Sequence, residues 1–332
     1  LPFSPIYGAI TWIRNKLFDL GVLKSQSFDV PIAAVGNLNV GGTGKTPHTI
    51  WVLNLISSKI STAVVSRGYG RKTKGYILAD SNSTGEEIGD EPKEILTRFP
   101  NIQLAVAEKR VEGISNLLEL TDSPKAIILD DAFQHRHVNA GLYILLSTQK
   151  EIFTEDVMLP GGNLREGKSG YKRADIIIIT KCDTGLSLVD QEKIKSQINL
   201  QTFQKIGFSY FDYGNPFDKK GIETKLPKRF VLLTGIAKTD YLTDYLDHQE
   251  CEFKHLSFKD HHNFSNDDYK TIGETCKANG SLTILTTCKD YARLNTEHED
   301  LKGLEILQLP IEVKFLSGGD EIESQILSFV LG

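Results

Sequence analysis

The chain has 332 residues, 40% of them hydrophobic and 24% charged, with a formal net charge of −5. That length suggests about two domains, the composition suits a globular protein able to bury a core, and the acidic balance argues against a general nucleic-acid binder. No apolar run reaches the ~18 residues that span a bilayer, and Cys182, Cys251, Cys276 and Cys288 lack metal-site spacing, which predicts a reduced, cytosolic setting.

Near the start, Ile6, Ile10, Ile13, Leu17 and Leu20 recur at helical spacing, with Trp12 and Phe18 beside them and Arg14, Lys16 and Lys24 set against Asp19. Such a helix can lie in a membrane interface. Taken alone, the pattern fits a helix packed on the protein's own core better.

Ile32-Ala33-Ala34-Val35 then reads as a buried strand and Pro47–Leu53 as the opening of a helix. Between them runs Gly36-Asn37-Leu38-Asn39-Val40-Gly41-Gly42-Thr43-Gly44-Lys45-Thr46. Glycines let backbone N–H groups crowd onto a phosphate, and the helix N-terminus adds its positive end. This is a P-loop in which Asn39 stands where Gly is usual, Lys45 reaches the terminal phosphates and the Thr46 hydroxyl ligates Mg²⁺.

Further short apolar runs at Thr62–Ser66, Ile102–Ala107, Ala126–Leu129, Leu142–Leu146 and Ile176–Thr180 alternate with helical stretches. Most lack in/out alternation, as expected of a parallel sheet covered on both faces. Polar residues cluster just after these runs, at the carboxyl edge where open α/β sheets bind ligands. Ser66-Arg67-Gly68-Tyr69-Gly70-Arg71 suits either a phosphorylated or sugar-bearing ligand or a solvated basic turn. Gly89-Asp90-Glu91-Pro92 precedes a helix, where its acids could simply complement the dipole. Lys109 and Arg110 could reach the same edge. Asp130-Asp131, ending an apolar strand, has the Walker B form that holds Mg²⁺.

Thr180-Lys181-Cys182-Asp183 mimics the element by which P-loop GTPases read guanine, so a GTPase of the metallochaperone or regulatory type is the alternative reading. Residues 208–228 break the rhythm and read as a connector. A second α/β unit follows, with strands at Phe230–Leu233, Glu252–Phe258, Leu282–Thr286 and Leu304–Leu309, a helix over Lys238–Leu246 and another capped by Ser265. In it, Asp260-His261-His262 follows a strand, which suits one histidine in a cleft and one structural.

Taken in order, the P-loop, Ser66–Arg71, Gly89–Pro92, Asp130-Asp-Ala-Phe-Gln-His135, Leu159-Pro-Gly-Gly-Asn-Leu-Arg-Glu166, Asp260–His262 and Thr287-Cys-Lys-Asp290 resemble the tetraacyldisaccharide 4′-kinase (lipid A 4′-kinase) family. The family commonly has Gly at the place of Ala132 and an Arg-Asp pair near Ala140-Gly141. The resemblance implies an α/β fold: a P-loop NTPase-type, mostly parallel sheet covered by helices, plus a second smaller α/β domain. It implies a division into an amphipathic membrane-interface helix over 1–25, a P-loop kinase domain over 26–215 and a smaller domain over 216–332.

It further implies transfer of the ATP γ-phosphate to the 4′-hydroxyl of an acylated glucosamine disaccharide 1-phosphate, at the cytoplasmic face of the bacterial inner membrane. Asn39, Gly41, Gly42, Thr43, Gly44, Lys45 and Thr46 would hold ATP, and Thr46, Asp130 and Asp131 would hold Mg²⁺. Asp90 and His261 would act together as the proton-accepting unit, and Arg67, Tyr69, Arg71, Arg110 and Arg165 would grip the acceptor. A lipid acceptor also turns the reading of the first helix toward peripheral contact with an anionic membrane.

Overall fold

The computed structural model describes residues 3–236, 239–260 and 262–332. The first part of the chain folds as α1 (Phe3–Asp19), β1 (Ile32–Asn37), α2 (Lys45–Ile56), β2 (Thr62–Ser66), β3 (Ile77–Ala79), α3 (Gly85–Ile88), α4 (Asp90–Arg98), β4 (Gln103–Val106), α5 (Arg110–Leu118), β5 (Ala126–Leu129), β6 (Leu142–Thr148), β7 (Ile176–Thr180), α6 (Leu188–Ile198) and β8 (Lys205–Tyr213). The remainder gives β9 (Arg229–Thr234), α7 (Asp240–His248), β10 (Glu252–Ser257), α8 (Asn266–Ala278), β11 (Thr283–Thr287), α9 (Cys288–Tyr291), β12 (Glu305–Leu309), β13 (Ile311–Ser317) and α10 (Gly319–Leu331).

Nine strands form one sheet in the order β13-β8-β7-β6-β1-β5-β2-β4-β3, and four form a second, β10-β9-β11-β12. Only β3 and β13, at the two edges of the large sheet, run antiparallel to their neighbours. β1, β2, β5 and β7 are buried along their whole length, because helices cover both faces. This is the mostly parallel, helix-covered architecture with a smaller α/β unit that the strand rhythm predicts.

Two expected boundaries shift. The stretch 208–228 is not all connector, since β8 runs to Tyr213 with Phe208 and Ser209 fully buried. The expected 216–332 unit also ends early. β13 pairs with β8, Ile311 opposite Tyr213, and Ile322, Ile326 and Val330 of α10 enter the same core as Ile144 and Ile178. The chain therefore leaves the large sheet after β8, builds the small one, and returns. The helix expected from Lys238 is α7, starting at Asp240; Lys238 itself lies outside the described residues.

Candidate active site

The P-loop is braced by three neighbouring segments: the 156–163 loop, the end of β7 and β8. Gly44, at φ 87°, caps α2, and the Phe211 ring occupies the space a side chain there would need. Asn39 donates to Asp156 Oδ2 at 2.7 Å, which gives this departure from Gly a loop-fixing role. The Val40 N–H donates to Asn163 O at 2.7 Å. The Thr180 hydroxyl donates to Thr43 O at 2.8 Å, and Lys181 Nζ lies 3.7 Å from where a Cβ on Gly42 would stand. His48, whose pKa burial pushes down to about 4, joins Gly44 O and Ser209 Oγ as a neutral ring. The Thr43 hydroxyl is buried and has no hydrogen-bond partner among the described residues. A rigid cradle of N–H groups with a spare hydroxyl fits a nucleotide phosphate.

Beside it, Lys45 Nζ lies 3.8 Å from Asp131 Oδ1, and Arg165 Nη1 reaches both Asp131 oxygens at 3.0 and 3.2 Å. Asp130 is fully buried, accepting from Thr49 Oγ1 at 3.0 Å and Ser66 Oγ at 3.2 Å; burial and the charge of Asp131 push its pKa up. Glu91, one residue after Asp90, is raised to about 7, first by burial and then by Asp130. Crowded carboxylates that hold one another's protons are a donor set suited to a divalent cation. Thr46, 6% exposed, stands at the first turn of α2. The described residues hold no ready-made group of three or more acidic, His or Cys ligands.

The expected acceptor residues divide. Arg67 and Tyr69 stand exposed on the loop after β2, Tyr69 82% exposed. Arg71 is instead engaged with Gly75 O and with Glu108 at 2.6 Å, so it braces that loop. Arg110 is 2% exposed and donates to Ala107 O and Asp130 O, which places it beneath the Asp130-Asp131 pair rather than in the open.

Asp90 is brought to the site by two glycines that touch. A side chain on Gly89, at φ 93°, would meet the Gly68 backbone at 3.1 Å, so the turn before α4 packs flat on the Arg67 loop. Asp90 accepts from Arg293 Nε at 2.9 Å, and Arg293 Nη1 also reaches Asp290 Oδ1 and Gly235 O, each at 3.3 Å. Arg293 and Asp290 follow β11 in the small unit, so this cluster joins the two sheets. His261 lies outside the described residues. His262 accompanies Asp268 at 2.9 Å and stacks on Phe258.

The sequence reading missed Arg293, which stands three residues past the Thr287–Asp290 motif. It also passed over Glu91 and His135, whose residues stand inside quoted motifs. His135 is depressed to about 4 by burial and then by Arg110 and Arg67.

α1 lies across the ends of these elements. Its polar side faces the protein: Tyr7 Oη donates to Arg165 O at 3.0 Å, Arg14 to Gln134 O at 2.7 Å and Asn15 to Glu166 Oε2 at 2.8 Å. Ile6, Ile10 and Ile13 point away, 58, 62 and 51% exposed, and only Phe18 is buried.

A family model described as tetraacyldisaccharide-1-P 4′-kinase matches residues 1–330. The tetraacyldisaccharide 4′-kinase of Flavobacterium johnsoniae is 44% identical over 335 residues, covering 99% of this chain and 96% of that protein. That of Bacteroides fragilis (strain YCH46) is 42% identical over 345 residues, covering 99% and 92%. Among solved structures, "apo" form LpxK from Aquifex aeolicus in complex with ATP matches with a TM-score of 0.78 and 27% identity, over 99% of this chain and 98% of that one.

Proposed function

The chain belongs to the tetraacyldisaccharide-1-P 4′-kinase family, and from that membership we propose that it is an ATP-dependent lipid kinase that phosphorylates the 4′-hydroxyl of an acylated glucosamine disaccharide 1-phosphate. The observation that carries this reading is the Lys45–Asp131–Arg165 cluster at the P-loop, whose charges are felt by Glu91, the residue next to the Arg293-paired Asp90; this gives a P-loop site a candidate base.

The chain's groups divide the work. P-loop N–H groups from Gly41 to Thr46 and the Lys45 ammonium hold the ATP phosphates. Thr46 and Asp131 would ligate Mg²⁺, with the buried Asp130 steadying them; bound there, the ion neutralises charge on the phosphate oxygens. Asp90 accepts the 4′-hydroxyl proton as that oxygen bonds to the γ-phosphorus. The bond from phosphorus to the β–γ bridging oxygen breaks, and ADP leaves. Arg293 fixes the direction of the Asp90 carboxylate, and His261 works with it as the second member of the unit. Arg165, Arg67 and Tyr69 line the approach of the acceptor, with Arg110 and Arg71 supporting them from behind.

The outward apolar stripe of α1 supports seating on a lipid surface. Among the described residues no helix is long and apolar enough to cross a membrane. Peripheral contact with an anionic membrane, at the cytoplasmic face of the bacterial inner membrane, is the setting that suits a lipid acceptor. Arg14 is turned inward to Gln134 and Lys16 stands 3.7 Å from Asp19, so of the three cations of this segment Lys24 is the least engaged and the first to meet lipid headgroups. Nucleic acid has no place in this reading.

The test is an assay with ATP, Mg²⁺ and the disaccharide monophosphate, read by mass spectrometry for one added phosphate. GTP hydrolysis with unmodified lipid would overturn the reading and favour the GTPase alternative.

A further inference from the structure

An amphipathic helix that merely anchors a protein needs only its apolar face, and its other side can rest anywhere. α1 does not rest anywhere. Beyond Phe18, it is held by directional bonds donated by Tyr7, Arg14 and Asn15 and by one that Ser4 Oγ accepts from the Gly161 N–H. Arg136 returns two more, to Asn15 O at 2.9 Å and to Asp19 Oδ1 at 2.8 Å.

The groups that receive these bonds are one step from the chemistry. Tyr7 holds the carbonyl of Arg165, whose guanidinium grips Asp131. Asn15 holds Glu166, 3% exposed, which also accepts from Gln134 Nε2 at 3.0 Å and pairs with Arg173 at 2.9 Å. Gln134 in turn donates to Asn37 O at 2.8 Å, at the mouth of the P-loop. A partly buried polar network of this kind, with directional bonds from several segments meeting at Glu166 and Gln134, fixes geometry more tightly than apolar packing. One side of α1 thus meets solvent or lipid, and the other is bonded to the segments that carry Arg165 and Asp131.

We propose that Tyr7 and Asn15 are positioning residues for the transfer. By bonding Arg165-Glu166 to the helix that lies in the lipid, they set the height at which an acceptor held in that lipid meets Arg165 and Asp131. This rests on the membrane reading above. It adds that the helix is a ruler as well as an anchor.

The test compares wild type with Tyr7→Phe, Asn15→Ala and the double variant, all checked for folding by thermal melting. Tyr7→Phe, which removes one oxygen, keeps the test sharp should the double variant melt early. Each is assayed with the acylated acceptor in mixed micelles and with the same disaccharide 1-phosphate lacking its acyl chains. Binding to vesicles of anionic phospholipid is measured by sedimentation. The double variant is expected to lose about 10-fold in kcat/KM on the acylated acceptor, with KM for ATP and vesicle binding unchanged and a smaller loss on the chain-free acceptor. Equal losses on both acceptors would show that the bonds only stabilise the Arg165 segment, and the proposal fails. Loss of vesicle binding in step with activity would make them part of the anchor, and the proposal fails again. Undiminished activity on the acylated acceptor also sinks it. Ile10→Asp/Ile13→Asp reads the membrane premise separately: unchanged vesicle binding there removes the premise, whatever Tyr7 and Asn15 do.

Discussion

The site contains two charge clusters built in opposite ways. Lys45, Asp131 and Arg165 all belong to the large sheet's carboxyl edge, where successive strands deliver their loops side by side. Asp90, Arg293 and Asp290 come from two sheets, and the central pair bridges 203 residues of sequence. The first cluster is fixed by the packing of one core. The second exists only while the two units hold their present relation, so chemistry that depends on it is coupled to the junction between them.

The sharpest way to break this comparison is at Asp90. Replacing a positioned base costs about 10²–10⁴-fold in rate, so Asp90→Ala should lose that much in kcat with ATP affinity nearly intact, because the P-loop contacts remain. His261→Ala should do likewise. Groups that act as a unit are strongly non-additive, so the double variant should be scarcely worse than the poorer single one. Steady-state kinetics at saturating ATP and acceptor decide it. Fully multiplicative losses, or a near-normal Asp90→Ala, would refute the pair.

A smaller effect separates the clusters directly. Arg293→Ala should lower kcat about 10²-fold, the order expected from a slight misplacement of a reacting group. Loosening the junction should also expose the connector near Gly214–Lys228 to limited proteolysis. Arg165→Ala acts within one unit, so it should chiefly raise KM for the acceptor and leave the connector protected. Equal proteolysis of the two variants would mean that the Asp90–Arg293 pair does not hold the units together.

The same contrast explains what could be read from the chain. The P-loop, the Asp130-Asp131 strand end and most parallel strands were legible because their signals are local: a turn of fixed length, an apolar run, a change of period. Residues 208–213 of β8 look like connector in the sequence because Asp212, Gly214 and Pro216 lie in or beside them, and nothing local announces that residues 311–317 return to pair with the strand. The direction of α1 was ambiguous for another reason. Its polar residues are satisfied by Arg165, Gln134 and Glu166, more than a hundred positions away, and only the fold brings those to it. Arg293 lies just past the Thr287–Asp290 motif, and only the fold brings it to Asp90, 203 positions away. Arg71 shows the converse: a residue inside a conspicuous motif, yet held by Gly75 of its own loop and by Glu108 after β4.

The smallest effect tests whether the junction carries a proton as well as a joint. Glu94 lies one turn after Asp90 on α4, where burial and then the charge of Glu91 raise its pKa from 4.5 to about 7, against the opposing pull of Lys289 and Arg98. A carboxyl raised on folding binds its proton more tightly in the native state. Its contribution to stability is therefore complete below the unfolded value near 4.5 and is lost as pH climbs through about 7. Glu94→Gln removes that titration while keeping the shape. The variant should melt above wild type at about pH 8, with the gap closing toward about pH 5, where wild-type Glu94 is protonated. Melting curves of the variant and wild type at four pH values read the gap. A Glu94→Gln gap that stays constant with pH would show that this carboxylate is already settled by Lys289 and Arg98, and that the junction is held by geometry alone.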